Sequence, residues 1–175
     1  PQLHRYPDPL GGELRGALAR THGLKREQIL LGDGSHELLM QLAQAFAGPG
    51  AGVVASQFGF AVYAIAARAV GAPFHAAPAL PADSSMPRGH DLDAIAAAIG
   101  ADTRLAYLCN PNNPTGTWFP TTALRAFLER VPANVLVVVD EAYAEYVDDP
   151  MLESALGLLP EFPNLVVART FSKAY

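Results

Sequence analysis

The chain has 175 residues, half of them hydrophobic, and 12 lysines and arginines against 17 aspartates and glutamates give a net charge of −5. That suffices for one domain with a sizeable core, or a piece of a larger one, and the scattered basic residues argue against a nucleic-acid surface. The single cysteine, Cys109, excludes an intramolecular disulfide and fits a reducing compartment; the five histidines lack metal-ligand spacing, and no apolar run reaches the ~20 residues that span a bilayer.

In chain order, residues 1–10 carry early prolines and no periodicity, which predicts an extended arm ahead of one domain over 11–175. Leu14, Ala17 and Leu18 space a helix over 12–22 that stops near Gly23. Residues 28–31 read as a short strand. After Gly32-Asp33-Gly34, Ser35 suits the N-cap of a helix with Leu38, Leu39, Leu42 and Phe46 on its apolar side, which Gly48-Pro49-Gly50 ends. Residues 53–55 predict a strand, 60–70 a helix, 74–77 another strand, and 79–89 a surface loop rich in Pro and Ser.

Asp91 suits the cap of a helix running to about Ile99. A strand over 105–109 enters the turn Asn110-Pro111-Asn112-Asn113-Pro114-Thr115-Gly116. Thr121 or Thr122 then caps a helix that ends near Arg130. Residues 135–139 are an unbroken apolar strand, buried on both faces by its composition, and Asp140 follows at once. A last strand over 164–168 feeds Arg169-Thr170-Phe171-Ser172-Lys173-Ala174-Tyr175. Strands alternating with helices predict an α/β fold with a mainly parallel sheet.

Open α/β sheets take ligands beyond the carboxyl ends of their strands, and chemistry-bearing residues gather there. An amine at Lys173 can form a Schiff base with an aldehyde, and the Thr170 and Ser172 hydroxyls can hold an attached anion. Pyridoxal phosphate combines those two groups. Asp140 offers a desolvated carboxylate that needs a cationic partner. A protonated pyridine nitrogen would serve, although position alone also suits a turn or N-cap aspartate. Tyr143 can reach the phenolic oxygen of the same ring or simply pack at the sheet edge. Asn113 sits in a turn stiffened by Pro111 and Pro114, which can aim its amide at a ring oxygen. Gly34-Ser35-His36 at a helix start forms a phosphate cradle, where free N–H groups and a helix dipole worth about half a charge meet an anion. Gly32-x-Gly34 has Glu37 where a dinucleotide fingerprint needs its third glycine, so that reading is set aside. Phe58 can stack on a cofactor ring or fill the core.

Together the stretches RYPDP (5–9), GDGSHELL (32–39), SQFGFAVY (56–63), CNPNNPTGTWF (109–119), VVVDEAYAEY (137–146) and RTFSKAY (169–175) resemble the fold-type I pyridoxal-phosphate-dependent aminotransferases, most closely their histidinol-phosphate branch. The resemblance implies the three-layer α/β/α large domain of that fold type, with the small C-terminal domain and the arginine for the substrate carboxylate expected after Tyr175, so that the polypeptide reads as incomplete. It implies catalytic roles for Lys173, Asp140 and Tyr143, with Lys173 also moving the proton between the substrate α-carbon and the cofactor. Cofactor contacts fall to Ser35, His36, Phe58, Asn113, Asp140, Tyr143, Thr170, Ser172 and Lys173. Relatives usually carry tyrosine at Phe58 and an aspartate or asparagine at His36. Tyr6 is similar to a tyrosine that reaches the partner subunit's cofactor phosphate, which implies a homodimer. The implied reaction carries the amino group of L-histidinol phosphate to 2-oxoglutarate in the cytoplasm, without nucleic acid, membrane or metal. An aromatic aminotransferase, or a decarboxylase or lyase of a phosphorylated amino acid on the same fold, is the alternative.

Overall fold

A computed structural model describes residues 4–174. The chain divides into two compact units, residues 1–33 and 34–175.

In the first unit, α1 (Gly12–His22) runs between two left-handed residues, Gly11 at φ 55° and Gly23 at φ 66°. The Gly23 N–H closes the helix on the Ala19 carbonyl, the usual use of glycine past a helix end. Asp8 accepts the N–H groups of Leu10 at 3.0 Å and Gly12 at 2.7 Å. These bonds hold its carboxyl below the usual range. The strand expected over 28–31 is absent. Arg26–Gln28 instead forms a 3₁₀ turn, and Gln28 Oε1 accepts the Lys25 N–H at 3.0 Å. Leu30 is exposed. Three apolar residues, Ile29, Leu30 and Leu31, are too few to choose strand over turn when the polar residues before them satisfy the backbone locally.

The second unit is a five-stranded sheet among the described residues: β1 (Gly52–Ser56), β2 (Phe74–Ala77), β3 (Thr103–Cys109), β4 (Leu136–Asp140) and β5 (Leu165–Ala168). The order is β2-β1-β3-β4-β5, and every pairing is parallel. The helix α2 (Ser35–Phe46) precedes β1, and α3 (Val62–Ala69), α4 (Leu92–Ala98) and α5 (Thr121–Leu128) join β1 to β2, β2 to β3 and β3 to β4. Alternation along β3 divides two cores. Leu105, Tyr107 and Cys109 face Leu39 and Ala43 of α2 and Tyr63, Ala66 and Ala67 of α3. Ala106 and Leu108 face Ile95 of α4 and Leu124 and Phe127 of α5. The unit is thus three layers, α/β/α.

Two expected caps move. Gly34, at φ 80° and ψ 169°, caps α2 and makes Ser35 its first helical residue; the turn needs a positive φ that serine avoids. Pro120 rather than Thr121 or Thr122 precedes α5. The Thr121 hydroxyl instead donates to the Glu153 carbonyl at 2.7 Å and accepts the Glu153 N–H at 2.9 Å. Asp91 caps α4 as its position suggests, accepting from Asp93 and Ala94.

The strand order reverses direction between β1 and β3. A reversal of this kind opens a crevice at the carboxyl ends of the strands, and the register sets Cys109 beside Asp140 and Asp140 beside Ala168.

Candidate active site at the carboxyl ends of the strands

Flanked by β3 and β5 and covered on both faces, β4 carries Asp140 into the interior, where the residue is only 2% exposed. One carboxylate oxygen accepts the Ala142 N–H at 3.1 Å, and the other accepts the Tyr63 hydroxyl at 3.1 Å. Burial pushes the Asp140 carboxyl up from its ordinary value. The bonds from Tyr63 and Ala142 and the positive charge of Lys173 oppose that rise without cancelling it. A carboxyl in this state gains from a cation brought against it.

Tyr63 reaches Asp140 from α3. Its ring lies flat on Tyr107, with centroids 4.6 Å apart and planes 6° from parallel, and Phe60 meets it edge-on at 5.9 Å. The Cys109 thiol touches the same hydroxyl, and burial drives the phenol's pKa well up.

The turn after β3 is fastened at several points. Its Asn110–Pro111 and Asn113–Pro114 peptides are cis. The Asn110 amide clips Phe119 from both sides, donating to its carbonyl at 2.9 Å and accepting its N–H at 3.1 Å. Asn112 donates to the Phe58 carbonyl at 3.0 Å and to Thr115 Oγ1 at 2.7 Å. The Asn113 N–H points to Cys109 Sγ at 3.4 Å. These bonds tie the turn carrying Asn113 to the loop carrying Phe58. The Phe58 ring has the Arg88 guanidinium over it, 5.6 Å from the centroid.

Beyond β5, Arg169 pairs with the buried Glu141 at 3.5 Å and with Glu145. Glu141 also accepts the Ser154 hydroxyl at 2.7 Å and the Ala155 N–H at 2.6 Å. The path of the chain is therefore set just before Thr170. The Thr170 and Ser172 hydroxyls are 2.9 Å apart, and the Ser172 N–H donates to Thr170 Oγ1 at 3.2 Å. A Cβ built on Gly34 would meet Thr170 Oγ1 at 4.0 Å, so the N-terminus of α2, with Ser35 at its first position, adjoins that hydroxyl pair. Lys173 Nζ lies 5.5 Å from the centroid of Tyr143, which in turn packs near Tyr146 at 6.1 Å.

Lys173, Asp140 and Tyr143 thus gather at the ends of β4 and β5, with Thr170 and Ser172 beside the start of α2. Asn113 and Phe58 belong to two loops joined through Asn112. His36 is exposed on α2. Tyr6, in the first unit, is fully exposed. Sequence reasoning did not single out Tyr63, Glu141 or Arg169. A second acid directly after the first, at the end of an apolar strand, was the available sign for Glu141.

The whole chain, residues 1–175, matches the family described as aminotransferase class I and II. The chain belongs to that family. Among the class I and II aminotransferases, it is 47% identical to histidinol-phosphate aminotransferase 1 of Cupriavidus pinatubonensis over 99% of its own length and 45% of that protein's. It is 49% identical to histidinol-phosphate aminotransferase 2 of Pseudomonas aeruginosa over 99% of its length and 46% of that protein's. Its fold superposes on histidinol-phosphate aminotransferase from Sinorhizobium meliloti, solved in complex with pyridoxal-5'-phosphate, with a TM-score of 0.87 at 35% identity, covering 98% of this chain and 45% of that one. The chain spans about half the length of the aminotransferases it matches. Among the described residues, no helix is long and apolar enough to cross a membrane.

Proposed function

We propose that the full-length protein is a pyridoxal-phosphate-dependent transaminase that takes the amino group of L-histidinol phosphate and delivers it to 2-oxoglutarate, as a cytoplasmic homodimer. The observation that carries this reading is the place of Asp140, 2% exposed at the end of β4 and in register with Ala168 at the end of β5, the strand whose continuation carries Lys173. The likeness to histidinol-phosphate aminotransferases over 99% of the chain supports the choice of amino donor. The exposed Tyr6 ring is consistent with a residue that meets a second subunit.

The residues present fit the cofactor. Gly34 adopts a φ of 80° that leaves the α2 N-terminus open beside the Thr170 and Ser172 hydroxyls, and this suits a phosphate. Asp140 keeps acceptor capacity beyond its two hydrogen bonds, and this suits a protonated ring nitrogen. Bound there, pyridoxal phosphate supplies an aldehyde that condenses with amines and a cationic ring that draws electron density from the substrate's α-carbon.

The chain's own residues do the rest. Asp140 holds the proton on the ring nitrogen. Tyr143 and Asn113 would hold the ring's phenolic oxygen, and Phe58 would stack on the ring. Ser35, His36, Thr170 and Ser172 hold the phosphate. The Lys173 amine would carry a proton between the substrate α-carbon and the cofactor's aldehyde carbon.

The test is a panel of amino donors, with histidinol phosphate and phenylalanine among them, given to the full-length protein with 2-oxoglutarate. Preferential turnover of histidinol phosphate is the expected result. A preference for phenylalanine, or carbon dioxide released in place of a keto product, overturns the proposal.

A further inference from the structure

We propose that Tyr63 is a positioning residue for Asp140, fixing the plane of the carboxylate that meets the ring nitrogen; this rests on the function proposed above. Tyr63 is 1% exposed and approaches Asp140 from a helix on one face of the sheet, whereas the other hydrogen bond to the carboxylate comes from the next turn of its own strand. Two donors on different elements, one per oxygen, stop the group from rotating. The donor itself has little freedom. The flat stack on Tyr107 and the edge of Phe60 hold the ring, and Tyr107 is in turn anchored by its hydroxyl, which donates to the Leu39 carbonyl at 2.6 Å. The hydroxyl therefore has one proton and one charged acceptor in a fixed direction. A donor held in this way favours the ionised carboxylate and leaves its remaining lone pairs for a cation. Holding a partner in place through a supporting residue is how such sites gain precision.

Tyr63→Phe in the full-length protein removes one oxygen and keeps the stack. The cofactor's dissociation constant, read by titrating stripped protein with pyridoxal phosphate, is expected to rise about 10- to 100-fold, the range for a hydrogen bond to a charged group. The visible absorbance maximum of the bound cofactor is expected to shift as well. Tyr107→Phe deletes an equally buried hydroxyl from the same stack without touching Asp140; it loosens the support of the Tyr63 ring but leaves the donor itself in place, and should move both readouts less than Tyr63→Phe does. In an Asp140→Ala background, Tyr63→Phe should have no further effect. Fluorinated tyrosine at position 63 keeps the hydroxyl, makes it a stronger donor and spares the fold; it should move the absorbance maximum opposite to Tyr63→Phe. Wild-type affinity and spectrum in Tyr63→Phe, an equal loss in Tyr107→Phe, or an undiminished loss in the Asp140→Ala background would overturn this role alone. Failure of the wild-type protein to bind the cofactor would overturn the proposed function, and this inference with it.

Discussion

Asp140→Asn separates the two consequences of placing a carboxylate at the end of a buried strand. The substitution is nearly isosteric. The amide oxygen can still accept the Ala142 N–H, now at 3.1 Å, and the Tyr63 hydroxyl can turn to accept from the amide nitrogen where it now donates. What disappears is the charge. Under the proposed function that charge would face a cationic ring in the loaded full-length enzyme, so its loss should cut turnover by roughly 10²–10³-fold, as the loss of one preorganised electrostatic stabiliser does in other enzymes. In the cofactor-free protein the sign reverses. Burial raises the Asp140 carboxyl's pKa above its unfolded value, despite Tyr63, Ala142 and Lys173. The stability tied to this group is then fully present below the unfolded carboxylate pKa, and it is lost as pH rises through the folded one. The Asn variant has no such loss. Its melting temperature relative to wild type should therefore climb across the acidic range and level off above the folded pKa. Glu141, raised chiefly by its own burial, is present in both proteins and cancels in the difference. The assay is a pair of thermal melts of stripped protein across that range, with single-turnover rates on the reloaded protein. Unchanged turnover, or a stripped variant less stable than wild type at neutral pH, would refute the reasoning.

Two further outcomes are expected. Lys173→Ala should leave the fold's circular dichroism intact, because the side chain is exposed, while removing the cofactor's visible absorbance band; a spectrum like wild type would remove Lys173 from the proposed site. Phe127→Ala empties a fully buried position on α5 and should destabilise by about 3–5 kcal/mol in urea or guanidinium unfolding, a cost well below 1 kcal/mol being incompatible with the packed layer beneath the sheet.

The strands were legible because burial on both faces leaves an apolar run that little else produces, as in β4, and the site was legible where chain order carried it. Asp140 closes one strand and Lys173 stands five residues past the end of another, and the parallel register of Asp140 with Ala168 sets those two strand ends side by side. The misreadings have local causes. Residues 29–31 are apolar but too few, and Gln28 turns back to cap a 3₁₀ turn. Ser35 has the right chemistry for a cap, yet the backbone at that corner needs a left-handed residue and Gly34 takes it. Tyr63 left no local sign, because its hydroxyl meets a carboxylate 77 residues away. His90 likewise reads as one dispersed histidine. In the fold its Nε2 accepts the Cys109 N–H at 3.1 Å, and burial pushes its imidazole down to about 4, so it serves as a neutral brace for β3. Spacing finds groups that face outward from strand ends. Groups that hold them from behind are set by the packing of layers: α3 against β3 places Tyr63 on Asp140, and the loop before α4 places His90 on Cys109. The acid meant for a cation is thus held by a neighbour from another layer, and this is why a charge change at Asp140 and a hydroxyl deletion at Tyr63 should register in the same spectrum.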